Sequence, residues 1–81
     1  MPHVIVELAS GRSEQQKARL TEDIVKAVIA HANVPDLAVS VSIEDVEPKD
    51  WVEKVYKPDI VGKWDSLAKK PGYDPFAQEK R

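Results

Sequence analysis

The sequence predicts a β-α-β unit of the α+β class, followed by a C-terminal helix. Three observations carry that reading. Side chains alternate between apolar and polar from His3 to Leu8, a long amphipathic stretch opens on a capping signal, and alternation returns from Ala38 to Val46.

In the first stretch His3, Ile5 and Glu7 fall on one face, and Val4, Val6 and Leu8 on the other, which describes a strand with one strongly apolar side. Pro2 is tolerated just before it, where a missing N–H costs least. Ser10 and Gly11 break the strand. Ser13 and Gln16 then stand at capping-box spacing, so a helix is expected from about Glu14 to about Asn33. Leu20, Ile24, Ala27, Val28 and His31 share one side of it, widened by Val25, Ile29 and Ala32. Arg19, Glu22, Asp23, Lys26 and Asn33 share the other. His31 is expected as a partly buried structural histidine. Val34-Pro35 stops the helix, because a residue before proline avoids helical angles.

In the second alternating stretch Val39, Val41 and Ile43 oppose Ser40, Ser42 and Glu44. A strand, a long helix and a strand imply parallel pairing through a right-handed crossover. Glu47-Pro48-Lys49-Asp50 suits a helix start. Trp51, Val52, Val55, Tyr56, Ile60, Val61, Trp64, Leu67 and Ala68 carry a helical pattern to about Lys69, kinked at Pro58 and ended by Pro71-Gly72. Trp64 is expected in a core or interface. The domain is expected over 1–72 and a loose tail over 73–81, with Tyr73 and Phe76 able to pin part of it to a neighbour.

The chain has 81 residues, no cysteine, and 12 basic against 14 acidic side chains for a net charge of −2. A monomer of this size buries only about 60–65% of the surface its unfolded chain exposes. Without disulfides, oligomerisation is the common remedy. The charge balance argues against a nucleic-acid or anionic-membrane surface. No apolar run is long enough to cross a bilayer, and neither histidine has a partner at metal-ligand spacing. The expectation is a cytoplasmic protein without metal or cofactor.

The terminal residues carry chemistry of their own. Removal of Met1, expected because proline is small, turns Pro2 into a secondary amine. A generic α-amino group titrates near pH 8, and an apolar pocket or a nearby cation lowers that value. Such a nitrogen is a candidate general base at neutral pH.

Taken together, Pro2, the run Gly11-Arg12-Ser13-Glu14-Gln15-Gln16-Lys17 and Trp51 after the second strand resemble the tautomerase superfamily, the group of 4-oxalocrotonate tautomerase. The similarity covers nearly the whole chain, and Lys69-Lys70-Pro71-Gly72-Tyr73 resembles its longer, dimeric bacterial members. The resemblance implies that Pro2 is the catalytic base, that Arg12 binds a substrate carboxylate, and that Trp51 lines an apolar pocket. The family's second arginine falls at Ser40, which leaves a hydroxyl there and points away from a dicarboxylate toward a smaller keto or enol acid, such as a phenylpyruvate-like compound. The implied activity is cofactor-independent keto–enol tautomerisation, an isomerase reaction.

Geometry adds a constraint. Pro2 and Leu8 lie roughly 20 Å apart at about 3.3 Å per strand residue. Arg12 is therefore out of reach of its own Pro2. Antiparallel pairing of two chains brings Pro2 of one to Arg12 and Trp51 of the other, in a four-stranded sheet with helices on one side. A homodimer is expected, with a trimer of dimers as the alternative. Two other functions stay open: a hydratase or dehalogenase-like member using a protonated Pro2 with Asp50 or Glu53 activating water, and a non-enzymatic oligomeric module.

Overall fold

The computed structural model describes residues 1–76. The chain forms two compact units, Met1–Val46 and a second that begins at Glu47. In the first, strand β1 (His3–Ala9), helix α1 (Glu14–Ala32) and strand β2 (Ser40–Val46) follow one another, and the two strands pair in parallel. Their register sets His3 opposite Ser40, Ile5 opposite Ser42 and Glu7 opposite Glu44 on one face, and Val4 opposite Val41 and Val6 opposite Ile43 on the other.

Helix α1 starts where the capping box predicts. Ser13 is extended (φ −71°, ψ 160°), the Gln16 N–H donates to Ser13 Oγ at 3.1 Å, and the Ser13 N–H donates to Gln16 Oε1 at 2.8 Å. Two otherwise orphaned donors are thereby satisfied. The helix ends on Asn33, which takes the left-handed conformation (φ 57°) common at this position. α1 packs on β2, and Lys17 bridges the two by donating to Asp45 Oδ2 at 2.8 Å while also meeting Glu14 at 2.7 Å. Leu20, Ile24, Val25, Val28 and Ile29 are half-buried along the predicted stripe. The stripe is narrower than expected: Ala27, Ala32 and His31 are exposed, so His31 is a surface residue, on the last turn of the helix.

β2 begins two residues later than its alternation suggests. The Ala38 N–H donates to the Pro35 carbonyl at 3.0 Å and the Val39 N–H to Asp36 at 3.1 Å, which commits Asp36–Ala38 to a tight 3₁₀ turn before the ladder can start.

The second unit corrects the expected C-terminal helix. A 3₁₀ turn at Pro48–Asp50 leads into helix α2 (Val52–Val61), wound in the wide, five-residue hydrogen-bonding pattern. Pro58 lies inside it without breaking it. An ordinary helix loses a hydrogen bond at proline and meets a clash with the carbonyl four residues back; the wider winding moves that carbonyl. The Gly62 N–H returns to the Lys57 carbonyl at 2.9 Å, and a Cβ on Gly62 would run into the Pro58 carbonyl oxygen. The helix ends there rather than at Lys69. Trp64–Ser66 forms a separate tight turn, and Leu67 is extended (φ −71°, ψ 126°). Trp64 is 39% exposed with Lys70 Nζ 5.6 Å above its ring, a surface cation–π pair rather than core packing.

Among the described residues only Val55 and Tyr56 are buried, at 5% and 4% exposure. Tyr56 packs against Tyr73 (ring centroids 5.6 Å apart) and edge-on against Phe76 (5.7 Å). Tyr73 and Phe76 therefore pack on their own chain. Residues 77–81 of the expected tail lie outside the described residues.

Two groups tie this packing to pH. Hydrogen bonds from Lys17 to Asp45 and then Glu14 raise its pKa above the usual 10.5. Burial, followed by the charges of Asp74 and Tyr73, raises the Tyr56 phenol above the usual 10.0. In both cases folding favours the protonated form. Above those values the unfolded chain releases its protons first, so stability falls as pH rises further. Urea denaturation midpoints are expected to hold up to about pH 9.5 and to decline through about pH 11.5, with part of the decline removed in Tyr56→Phe. A midpoint that stays level or climbs over that interval contradicts both assignments.

Candidate active site

The ladder carries Pro2 into the structure beside β2. The Ser40 N–H donates to the Pro2 carbonyl at 3.2 Å, continuing the strand pairing by one residue. Pro2 is half-buried, whereas Met1 is fully exposed. A cleft of about 420 Å³ opens here, lined by Met1, Pro2, His3 and the Leu37–Ser40 segment. That volume is within the range of small-molecule sites. Leu37 is 90% exposed at its rim. His3 Nδ1 and Ser40 Oγ share a hydrogen bond of 2.7 Å. Among the described residues no lysine or arginine lines the cleft.

Arg12 lies past the other end of β1. Gly11 precedes it at φ 124°, in the left-handed region where any Cβ is strained, and so turns the chain out of the sheet. The exposed Arg12 side chain bends back, and its Nη1 donates to the Ala9 carbonyl at 2.8 Å. One of five guanidinium N–H groups is thereby used. β1 is seven residues long, roughly 23 Å at about 3.3 Å per residue. Arg12 therefore does not reach Pro2 of its own chain.

Trp51 belongs to the second unit. It is half-buried, and its Nε1–H donates to the Tyr73 hydroxyl at 2.9 Å, which fixes the indole plane. Asp50 meets Lys54 at 3.7 Å and Glu53 meets Lys57 at 2.7 Å, both one helical turn on. Among the described residues no three His, Asp or Glu side chains gather to hold a metal ion, and no helix is long and apolar enough to cross a membrane.

Of the four residues singled out by sequence, the structure thus brings Pro2 and Ser40 together and sets Arg12 at the far end of the same sheet. Sequence reasoning missed His3 and Leu37. His3 sits on the predicted polar face of β1 and Ser40 on that of β2, but the register that joins them is not written in either strand alone. Leu37 precedes the expected strand, in the turn that delays it.

Comparison with known proteins bears on family and fold. A family model described as "Tautomerase enzyme" matches residues 2–55, starting on Pro2 itself. A probable tautomerase of Xylella fastidiosa is 40% identical over 77 residues, covering 95% of this chain and 94% of that protein. Tautomerase PptA of an Enterobacter species is 39% identical over 74 residues, covering 90% and 97%. Among solved structures, a 4-oxalocrotonate tautomerase isozyme from Methylibium petroleiphilum superposes with a TM-score of 0.60 at 32% identity, over 62% of this chain and 81% of that one. TomN, a 4-oxalocrotonate tautomerase homologue in the tomaymycin biosynthetic pathway, gives 0.61 at 30% identity, over 79% and 95%. The β-α-β arrangement with parallel strands is the fold of those neighbours. On the extent of the family match and the near-complete coverage of its relatives, this chain belongs to the tautomerase family and is an isomerase.

Proposed function

We propose that the protein catalyses keto–enol tautomerisation of 2-keto and enol acids, with Pro2 as general base once Met1 has been removed, and without a cofactor. The observation that carries this reading is the position of Pro2: half-buried, in a largely apolar cleft, at the residue where the family match begins. While Met1 is attached, the Pro2 nitrogen is an amide and has no basic lone pair. Freed, it is a secondary amine, and the apolar wall disfavours its charged form. The neutral amine takes a proton from an enol hydroxyl or an acidic carbon and returns it to the other atom. A base whose pKa lies near the working pH serves both steps.

A carboxylate needs a cation, and the described residues that line the cleft supply none. We infer that Arg12 of a second copy provides it, in a homodimer whose four-stranded sheet sets two β1 strands antiparallel. A two-fold axis of that kind brings opposite strand ends together. The small core supports the same assembly: no residue of the first unit is fully buried, and Ile5 on the open sheet face is 57% exposed. Arg12 binds the carboxylate with two parallel N–H donors and withdraws electron density along the conjugated acid. Trp51 is assigned to the pocket's apolar wall, where excluding water strengthens both electrostatic effects. A water-activating role for Asp50 or Glu53 has less support, because each carboxylate is paired with a lysine.

The test compares two preparations of the chain on phenylpyruvate, followed by the loss of enol absorbance. One is confirmed by intact mass to begin at Pro2, and the other keeps Met1. Turnover is expected only in the first. Equal turnover in both overturns the assignment of Pro2 as base.

A further inference from the structure

Among the described residues, His3 and Ser40 are the polar side chains lining the Pro2 cleft, set against Leu37, Ala38 and Val39. They face each other in strand register and share the 2.7 Å hydrogen bond. The Ser40 N–H is held at the same step by the Pro2 carbonyl at 3.2 Å. The hydroxyl is thus anchored twice within one residue of Pro2: the ladder fixes its backbone, and the imidazole fixes its oxygen.

A serine hydroxyl carries one proton, and its direction follows from what the oxygen accepts. An imidazole that donates Nδ1–H to Ser40 Oγ occupies a lone pair and turns the Ser40 proton elsewhere. An imidazole that accepts at Nδ1 takes that proton for itself. The two tautomers therefore leave the cleft with a donor or with an acceptor. We propose that His3 is a positioning residue for the tautomerisation: it donates Nδ1–H to Ser40 Oγ, so that the Ser40 O–H donates to the carbonyl oxygen of a monocarboxylate 2-keto acid. The inference rests on the reading of Pro2 as base and extends it.

The chemistry gives this donor a task. In the enolising direction the Pro2 nitrogen takes a proton from the carbon next to the carbonyl. That bond's electron pair forms the C=C bond, and the carbonyl pair moves onto oxygen, which then receives the same proton. Negative charge builds on oxygen midway, and a preoriented donor aimed at it lowers the barrier more than it tightens substrate binding. The pair also bears on specificity. A second carboxylate placed against Leu37, Val39 and Ser40 would find no cation among the described lining residues.

The experiment measures kcat and KM for phenylpyruvate in the full chain with a processed N-terminus, for His3→Phe, His3→Asn, Ser40→Ala and the double variant His3→Phe/Ser40→Ala. His3→Phe and Ser40→Ala are each expected to lower kcat about tenfold, the effect of one oriented hydrogen bond, with KM moving less than about threefold. The double variant is expected to be no worse than either single, because both remove the same donor. His3→Asn keeps an amide donor near the Nδ1 position and is expected to stay within about threefold of the parent kcat. A His3→Phe enzyme at parental kcat, a His3→Asn enzyme as slow as His3→Phe, or losses that multiply in the double variant overturns the proposal. If His3→Phe does not fold, Ser40→Ala at parental kcat does so alone. The base reading fails separately, through a Pro2→Ala variant that still turns over or a parent chain inert toward phenylpyruvate.

Discussion

Replacing Pro2 with alanine is expected to lower keto–enol turnover about 10²–10⁴-fold, the range for losing a positioned general base, while the chain folds unchanged. Alanine also permits removal of Met1, so a terminal amine remains, but it is a primary amine free to turn about its N–Cα bond. The proline ring instead fixes the direction of the nitrogen lone pair. The structural role of the position is slight. Pro2 precedes β1, and its one ladder contact, accepting from the Ser40 N–H at 3.2 Å, uses a carbonyl that alanine keeps. Enol-absorbance kinetics together with thermal unfolding check both halves. A parental rate, or a lost rate accompanied by a lost fold, contradicts the account.

The second large effect is expected at Arg12. Arg12→Ala should reduce kcat/KM for phenylpyruvate by about 10²–10³, in keeping with the roughly 2–5 kcal/mol typical of removing one partner from a desolvated charge pair. Most of the loss should appear in KM, because the carboxylate is bound in ground and transition states alike. Arg12→Lys keeps the charge without the planar fork and should fall between the two. The structure predicts little change in stability. Among the described residues the Arg12 side chain's hydrogen bond is the exposed one to the Ala9 carbonyl, and such a contact contributes about 1 kcal/mol or less. Substrate saturation curves and melting midpoints of the three proteins separate a binding role from a folding one.

The first unit was largely legible in the residues. Alternation in His3–Leu8 marks β1, and Ser13 with Gln16 places the start of α1 at the residue where it begins, because a capping box is a local device with a fixed spacing. What followed Asp50 was less legible. Ile60, Val61, Trp64 and Leu67 keep helical spacing, yet α2 stops at Val61. At that end Gly62 comes so near the Pro58 carbonyl that a Cβ would not fit, a close packing of backbone on backbone that no periodicity records. Tyr73 and Phe76 read as tail residues because the aromatic they cover, Tyr56, is 17 and 20 positions away. At the candidate site, Pro2 and Arg12 stood out by residue type and spacing. His3 did not, since its meaning comes from the register that sets it against Ser40.

The central claim is that Pro2 of one chain works with Arg12 of another. The most direct measurement mixes Pro2→Ala and Arg12→Ala under conditions that exchange subunits and assays them at substrate well below KM, where each alone is slow. Each mixed dimer then holds one site with an intact proline and an intact arginine. Random pairing makes half the dimers mixed, so about a quarter of the parental turnover should return. A mixture no more active than its two components would contradict a site shared between chains.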